Sequence, residues 1–300
     1  MSGKNAELET MASTIGARAA VRPWRLMGFG YIIPSLLLLA AFFIAPLWFV
    51  GEMSLREGRL PPPGGGLWQN YERLFLDSFY FGVIGETVVL SLVVTLICIL
   101  MGYPVAYFMV RHASARLYNL IIFFLIAPLL TPIIMRTFGW QVLLARRGLI
   151  NEGLMSMDLI SKPLSLLNSP VAVVLGLVHV LAPFMILSIA SVLSGIDRRL
   201  EESARMLGAS RGKTFLKITL PLSMDGLGTG AILVFMLANG SFVTLLLLGG
   251  GSLQTLPLLI YQQFNTTRDL PFAAAMSIVL LVLALVCLFF QLRLIRRKGA

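Results

Sequence analysis

Charged residues are scarce in this sequence. Only 13% of its 300 residues are Asp, Glu, Lys or Arg, whereas 57% are hydrophobic. A soluble domain of this length needs more polar surface than these residues supply. The composition therefore excludes a soluble globular protein and predicts a membrane protein.

Cysteine and histidine are almost absent as well. Cys98 and Cys287 each lie within an apolar run, while His112 lies in a basic loop and His179 in an apolar run. A disulfide framework or a metal site needs several such residues at defined spacings, and the H-E-x-x-H motif does not occur. We therefore expect a chain that is not an enzyme, binds no metal and carries no cofactor of its own.

Six apolar runs are long enough to cross a hydrocarbon core of about 30 Å. They predict an all-α bundle of six transmembrane spans, which forms one domain of residues 26–292. A tail of residues 1–25 precedes this domain, and a basic C-terminus of residues 293–300 follows it. The predicted spans cover residues 26–51, 87–110, 117–145, 171–195, 226–248 and 271–291.

The charge-free stretch after residue 225 is too long for a single span. Three consecutive glycines at 249–251 divide it, and the apolar residues 253–264 that follow are too few to cross the membrane. We therefore expect residues 252–266 to form an external re-entrant or interfacial segment.

The basic residues fix the predicted orientation. The net charge is +10, but the Lys and Arg residues are dispersed between apolar runs and form no continuous patch for nucleic acid. Four lie in the N-terminal tail, two in residues 111–116, six in residues 197–221 and four at the C-terminus, which makes sixteen of the 24. Because positive charge accumulates on the cytoplasmic side, we expect both termini in the cytoplasm.

The polar stretch of residues 197–221 predicts a helical hairpin. Asp197 is a suitable N-cap, and Glu201 and Arg205 stand four residues apart in the order that favours an ion pair on a helix. Gly208 can adopt a left-handed conformation and end the first helix. Apolar positions mark one face of each helix: Leu200, Ala204 and Leu207 on the first, and Phe215, Ile218 and Leu222 on the second.

The same stretch contains a false nucleotide-binding motif. Gly208 and Gly212-Lys213-Thr214 resemble a P-loop, but three residues separate the glycines where a P-loop has four, and no strand precedes them. We therefore assign any ATP chemistry to another polypeptide.

The hairpin carries a family resemblance. Glu202-Ser-Ala204, Gly208 and Ile218-Thr-Leu-Pro221 stand at the spacing of the EAA loop, with Ser203 in place of the usual alanine. This pattern resembles the membrane subunits of binding-protein-dependent ABC importers and implies the type I ABC importer permease fold. In that family the loop lies in a groove of the cytoplasmic ATPase. The resemblance assigns this coupling role to Glu201, Glu202, Ala204, Arg205, Gly208, Ala209 and Ser210.

The resemblance also implies partners and a location. We expect a second homologous permease, two cytoplasmic ATPase subunits that use ATP and Mg²⁺, an extracytoplasmic substrate-binding protein and the bacterial cytoplasmic membrane. The stretches 136–151, 176–185 and 265–274 are similar to the spermidine and putrescine branch of the family. They imply a polyamine substrate, although permeases for other small cations and amino-acid-like solutes share these stretches.

Polar residues inside the predicted spans are the candidates for a substrate pathway. In permeases of the family that this chain resembles, the fifth span lines the pathway, which favours Asn239 and Ser241 over the other candidates. Each polar group can equally serve as a hydrogen bond between helices. The candidates are Arg136, Gln141, Asn239, Ser241 and Thr244.

Other features leave alternatives open. Glu86 and Asp269 stand near the external span ends, where they either attract a cation or anchor the chain at the membrane interface. The glycines at 226 and 230 predict close contact with a helix of this subunit or of a partner. A self-sufficient secondary transporter or channel is the alternative function, and a membrane-embedded enzyme is a third. The absence of Asp and Glu well inside the predicted spans argues against a proton-coupled transporter.

Overall fold

A computed structural model describes residues 24–58 and 66–298, with side chains for residues 33–58 and 66–293. Within these ranges every regular element is a helix, as the all-α prediction requires. The predicted N-terminal tail up to residue 23 and the Gly- and Pro-rich residues 59–65 lie outside the described residues. The chain divides into two compact units, Met1–Phe49 and Val50–Ala300.

The first unit contains most of helix α1, Trp24–Ser54. This helix covers the predicted first span, and it continues through Pro34 and Pro46. Its described side chains up to residue 49 are exposed or half-buried, and nearly all are apolar. Such a helix suits a lipid environment, because most of its backbone groups bond within the helix and its apolar side chains are compatible with hydrocarbon.

The second unit contains the remaining helices. In chain order they are α2 (Gln69–Leu76), α3 (Ser78–Arg111), α4 (Ala115–Leu130), α5 (Ile133–Leu144), α6 (Leu149–Ser156), α7 (Pro170–Gly195), α8 (Arg198–Met206), α9 (Arg211–Thr214), α10 (Leu220–Leu222), α11 (Met224–Asn239), α12 (Val243–Leu248), α13 (Leu256–Gln262) and α14 (Leu270–Lys298). Two π-helical turns, Phe215–Thr219 and Gln263–Thr267, join neighbouring helices.

Side-chain caps specify where three of these helices begin. Asp77 accepts a hydrogen bond from the backbone N–H of Phe79 at the start of α3. Ser114 accepts one from Leu117 at the start of α4, and Ser169 caps α7, where Pro170 occupies the first turn. These caps satisfy backbone N–H groups that have no partner inside the helix.

Helices α3, α7 and α11 form the centre of the unit, and glycines allow them to approach closely. A Cβ atom at Gly226 would lie 2.8 Å from the Ser188 carbonyl oxygen, and one at Gly230 would lie 2.8 Å from the sulfur of Met185. The close contact predicted for the glycines of the fifth span therefore lies within this subunit, against α7. The main core includes Leu90, Val94, Cys98, Leu177, Leu181, Met185, Ile189, Val234 and Ala238.

Four helices of the described chain are long and apolar enough to cross a membrane, and two bent helix pairs raise the number to six if each pair is one span. The third span predicted for residues 117–145 is bent and not one continuous helix, because α4 and the segment that begins with α5 meet at 102°. Pro132 lies at this break. It has no N–H, so it cannot donate to the Pro128 carbonyl as a helical residue would.

The predicted fifth span at 226–248 is also not continuous. Helix α11 ends at Asn239, and α12 begins at Val243. Gly240 weakens the helix at this point, and Phe242 leaves it to stack on Tyr261 with 5.0 Å between the ring centroids. A second bend, of 60°, separates the helical stretch that ends at Leu222 from α11.

Two shorter helices complete the fold. Residues 252–266 contain α13, which has seven residues and is too short to cross a membrane. Helix α2 lies between the first two predicted spans. Both helices contribute to a second apolar cluster: Leu74, Tyr80, Val83, Leu256, Leu259, Phe272, Met276 and Val279.

Candidate functional site: the 197–221 hairpin and the polar residues of the spans

The hairpin has the cap structures that its sequence predicts. Asp197 accepts a hydrogen bond from the N–H of Arg199, and Gly208 is left-handed with φ of +87°. The N–H of Ala209 donates to the Ala204 carbonyl and that of Gly208 to the Arg205 carbonyl, both at 3.0 Å. This pair of bonds is a Schellman motif, in which a left-handed glycine is strongly preferred.

Ser210 caps the second half of the hairpin. Its hydroxyl accepts a hydrogen bond from the N–H of Lys213, and its carbonyl accepts one from Thr214. Residues 208–212 spell G-x-S-x-G, a pattern that also occurs around the nucleophile of α/β-hydrolases. Here the motif follows a helix instead of a strand, and the Ser210 hydroxyl serves as a helix cap. The motif therefore has a structural role in this chain.

The tip of the hairpin presents apolar side chains to the outside. Met206 is 84% exposed and Leu207 is 89% exposed, and Leu200 is half exposed. Glu202, Arg205 and Ser210 are also exposed around them, whereas Ala204 and Ala209 are partly buried. An apolar tip with a polar rim is typical of a contact surface for another protein.

The inner side of the hairpin is fixed by a buried ion pair. Glu201 faces Arg111 at the end of α3, and both Nε and Nη2 of Arg111 lie 3.0 Å from Oε1 of Glu201. The two side chains are only 6% and 7% exposed, and the Thr219 hydroxyl donates to the same carboxylate. The predicted Glu201–Arg205 pair is therefore wrong. A partner ninety positions away in the sequence takes the carboxylate, and Arg205 remains exposed.

Two backbone contacts hold the start of α8 on the end of α3. Arg111 also donates to the carbonyl of Ile196, and Arg198 donates to the carbonyl of Val110 at 2.7 Å. These carbonyls lie at the ends of α7 and α3, where helical partners are missing. The arginines therefore satisfy free carbonyls and join the hairpin to both helices.

Aromatic side chains attach the other half of the hairpin to the same helix. Phe215 packs edge-on against Tyr103 and Tyr107 of α3, with 5.5 Å between ring centroids in each case. The Tyr103 hydroxyl lies 2.7 Å from the hydroxyl of Ser223, in a buried hydrogen bond. Polar and apolar contacts thus make the hairpin and the 103–111 end of α3 one packed unit.

The candidate pathway residues differ in their surroundings. Asn239 is 3% exposed at the end of α11, and its Oδ1 atom has no hydrogen-bond partner. Ser241 is half-buried in the break that follows. Thr244 is buried against α7, where its methyl group would lie 2.9 Å from a Cβ added at Gly176.

Arg136 compensates for the break in the third span. Its Nη1 atom donates at 2.6 Å to the carbonyl of Pro128, which has no helical donor at Pro132 and also accepts a bond from the N–H of Thr131. A second candidate, Gln141, donates to the carbonyl of Leu247 in α12. Both side chains therefore join helix segments at breaks in the backbone.

The two acidic candidates near the span ends make contacts within the chain. Glu86 accepts a hydrogen bond from the backbone N–H of Gln254. Asp269 is 1% exposed, forms an ion pair with Arg73 and accepts a bond from the N–H of Phe272. His179, which the sequence leaves isolated, accepts a bond from the indole N–H of Trp140.

Three residues with buried contacts are not identified from the sequence: Arg111, Tyr103 and Thr87. In the sequence Arg111 indicates only membrane topology, and nothing local to it identifies Glu201 as its partner. The sequence does contain a signal for Thr87, because hydroxyl side chains recur every four residues at Thr87, Ser91 and Thr95 and mark the buried face of α3. Each hydroxyl donates to the carbonyl four residues earlier.

These features together define an integral membrane protein whose described part is helical and whose apolar-tipped hairpin is packed on α3. The chain belongs to the family of binding-protein-dependent transport system inner membrane components, whose model matches residues 99–299. Members of this family are permease subunits of ABC importers and are not enzymes, in agreement with the expectation from the sequence.

Two curated relatives and one solved structure illustrate the match. The spermidine/putrescine transport system permease protein PotB of Escherichia coli is 38% identical over 232 residues, which are 76% of this chain and 84% of PotB. PotB of Haemophilus influenzae is 35% identical over 274 residues, 90% and 91% of the two chains. The solved structure is a crystal structure of a bacterial alginate ABC transporter in complex with an alginate pentasaccharide-bound periplasmic protein. One of its chains matches this protein with a TM-score of 0.76 at 19% identity, and the match covers 92% of this protein and 95% of that chain. This last similarity establishes the fold.

Proposed function

We propose that this chain is one half of the translocation pathway of an ATP-driven importer in the bacterial inner membrane, and that the importer carries a polyamine such as spermidine or putrescine. A second homologous permease forms the other half. Two ATPase subunits bind on the cytoplasmic side, and a binding protein delivers substrate from outside. ATP and Mg²⁺ act in the ATPase subunits, and this chain contributes no cofactor.

The exposed apolar tip of the 197–221 hairpin is the observation that supports contact with an ATPase. Its tip exposes Met206 and Leu207, two large apolar side chains that membrane topology alone does not require. Its base is attached to α3 by the buried Arg111–Glu201 pair. A hairpin that is rigid at its base and apolar at its tip can pass the movement of a soluble partner to the membrane helices.

The attachment of the hairpin to α3 supports an alternating-access cycle. Closure of the ATPase dimer on ATP moves the two hairpins of the paired permeases towards each other. Because each hairpin is packed on α3 and joined to α7 and α11, these helices move with it and open the pathway outwards. Hydrolysis reverses the movement. Within the 197–221 hairpin, Gly208, Ala209 and Ser210 hold the turn, and Glu202 and Arg205 form the polar rim.

The polyamine assignment is supported by the two PotB relatives. A polyamine is a flexible cation with several N–H donors, so its pathway needs acceptor oxygens and no strong positive potential. The Oδ1 atom of Asn239 is a buried acceptor without a protein donor. Arg136, the charged candidate in the spans, is engaged with a carbonyl. We propose that carboxylates of the partner permease supply the negative charge that this chain lacks.

Uptake by the reconstituted importer tests this proposal. The chain is assembled with its partner permease, ATPase and binding protein in proteoliposomes that contain ATP, and uptake of radiolabelled putrescine, spermidine and a control amino acid is measured. We expect uptake of a polyamine that requires both ATP and the binding protein. Preference for the amino acid would overturn the polyamine assignment, and uptake independent of ATP would overturn the importer assignment.

A further inference from the structure

The segment of residues 252–267, here named the distal segment, is attached to α3 by two hydrogen bonds. The hydroxyl of Thr87 accepts a bond from the backbone N–H of Leu256 at 2.9 Å, and the carboxylate of Glu86 accepts one from the N–H of Gln254 at 3.0 Å. Thr87 is 2% exposed, so its bond is shielded from water.

These bonds replace the usual cap of α13. Leu256 is the first residue of this helix, and its N–H has no partner within the helix. The side chain of Thr255, in the N-cap position, makes no cap hydrogen bond, and Pro257 has no N–H to satisfy. The start of α13 is therefore capped by a side chain of another helix.

The distal segment is flanked by residues that allow the backbone to turn. Gly250 and Gly251 before it are left-handed, with φ of +53° and +84°, and Arg268 after it is left-handed with φ of +54°. Apolar packing of Leu256 and Leu259 against α3, α2 and α14 holds the segment, but apolar contacts are non-directional. The hydrogen bonds to Thr87 and Glu86 fix the register in which it packs on α3.

The same helix carries the 197–221 hairpin at its other end. From Thr87 to Arg111 is 24 residues of α3, which at a rise of about 1.5 Å per residue is about 36 Å. The helix is continuous between these contacts. A movement that the hairpin imposes on α3 therefore reaches the Thr87 end.

We infer that Thr87, with Glu86 beside it, is a positioning residue that makes the distal segment move together with the hairpin during transport. This inference rests on the proposed function, because it assumes that the hairpin is driven by an ATPase. The distal segment lies at the end of α3 opposite the hairpin. The inference assigns it to the part of the pathway that moves in response to ATP.

Matched variants of α3 test the role of Thr87 in transport. Thr87→Val keeps the shape of the side chain and removes the acceptor, whereas Thr87→Ser keeps the hydroxyl. Thr95→Val is the control, because Thr95 is also buried, makes the same bond to the carbonyl four residues earlier, and has no bond to the distal segment. We expect Thr87→Val to lower uptake per ATP hydrolysed about tenfold, because the buried N–H of Leu256 loses its acceptor. Thr87→Ser and Thr95→Val should stay within about twofold of the wild type.

A distance measurement separates this role from a general loss of stability. Spin labels are placed at the exposed positions Val89 of α3 and Thr266 of the distal segment, in a chain whose two cysteines are replaced by alanine. In the assembled importer we expect one narrow distance distribution that is the same without nucleotide and with trapped ATP. Thr87→Val should broaden it, and Thr95→Val should not.

Three outcomes would overturn the inference: a wild-type distance that differs between the two nucleotide states, a Thr87→Val distribution as narrow as the wild type, or equal loss of uptake in Thr87→Val and Thr95→Val. Failure of the proposed function gives a different result. In that case the wild-type complex transports nothing in response to ATP, while the Val89–Thr266 distribution of the isolated chain still broadens in Thr87→Val.

Discussion

Substitution of Gly208 by valine tests whether the turn of the 197–221 hairpin must keep its left-handed geometry. The φ angle of Gly208 is +87°, and a Cβ atom at this position would meet no other atom within 4 Å. The added side chain therefore causes no collision, and the cost is confined to the backbone conformation. A left-handed conformation costs an L-residue about 1–2 kcal/mol, and a β-branched side chain makes it less accessible still.

This cost sets the expected size of the effect. An energy of 1–2 kcal/mol shifts the equilibrium between the native turn and a rearranged one by about 5- to 30-fold. Because the Schellman bonds from Gly208 and Ala209 depend on this turn, we expect a similar loss of ATPase stimulation by the loaded binding protein. The series Gly208→Asn, Gly208→Ala and Gly208→Val should show increasing loss, since asparagine tolerates the left-handed region best.

Gly212 provides the matched control for this series. It lies four residues further along the hairpin, in α9, where a Cβ atom would also meet nothing and the backbone is right-handed. ATPase stimulation and uptake are measured in proteoliposomes for Gly208→Val and Gly212→Val. Normal stimulation in Gly208→Val, or equal losses in the two variants, would refute the argument from backbone geometry.

Three further predictions follow from the same contacts. Glu201→Ala leaves Arg111 buried without its carboxylate, a loss that typically costs about 3–5 kcal/mol. The purified variant should therefore lose thermal stability in detergent, and Glu201→Gln should lose less. Equal stability of the wild type and both variants would contradict the role of the ion pair. In a cysteine-free chain, Ser210→Cys should react with a membrane-impermeant maleimide only from the cytoplasmic side, and Glu57→Cys only from the opposite side. Labelling of both positions from one side would exclude the predicted orientation. Asn239→Ala removes a buried acceptor oxygen that no protein donor occupies, so it should reduce polyamine uptake about two- to tenfold, whereas unchanged uptake would remove Asn239 from the pathway.

Local signals in the sequence were sufficient to predict the hairpin. The cap at Asp197, the left-handed turn at Gly208 and the short helix between them depend only on neighbouring residues, and all three are present. The partner of Glu201 could not be predicted in this way. The i,i+4 pairing with Arg205 is a local rule, but the buried Arg111 offers two donors in a site that excludes water.

The helix breaks illustrate a second limit of the sequence. Pro132 and Gly240 are visible as weak points, but hydropathy cannot tell a tolerated proline from a break. Pro104 lies inside the continuous helix α3, whereas α4 and α5 diverge at Pro132. The difference lies in contacts between helix segments, since Arg136 donates to the Pro128 carbonyl across the first break and Phe242 stacks on Tyr261 beside the second.

We propose that an ATPase drives this chain through the exposed tip of the 197–221 hairpin. A photoreactive amino acid at position 207, where the leucine is 89% exposed, tests it in the assembled importer, with position 120 on the exposed face of α4 as the control. We predict a covalent adduct between this chain and the ATPase subunit from position 207 and none from position 120. An intact, ATP-hydrolysing complex that gives no ATPase adduct from position 207 would contradict the account.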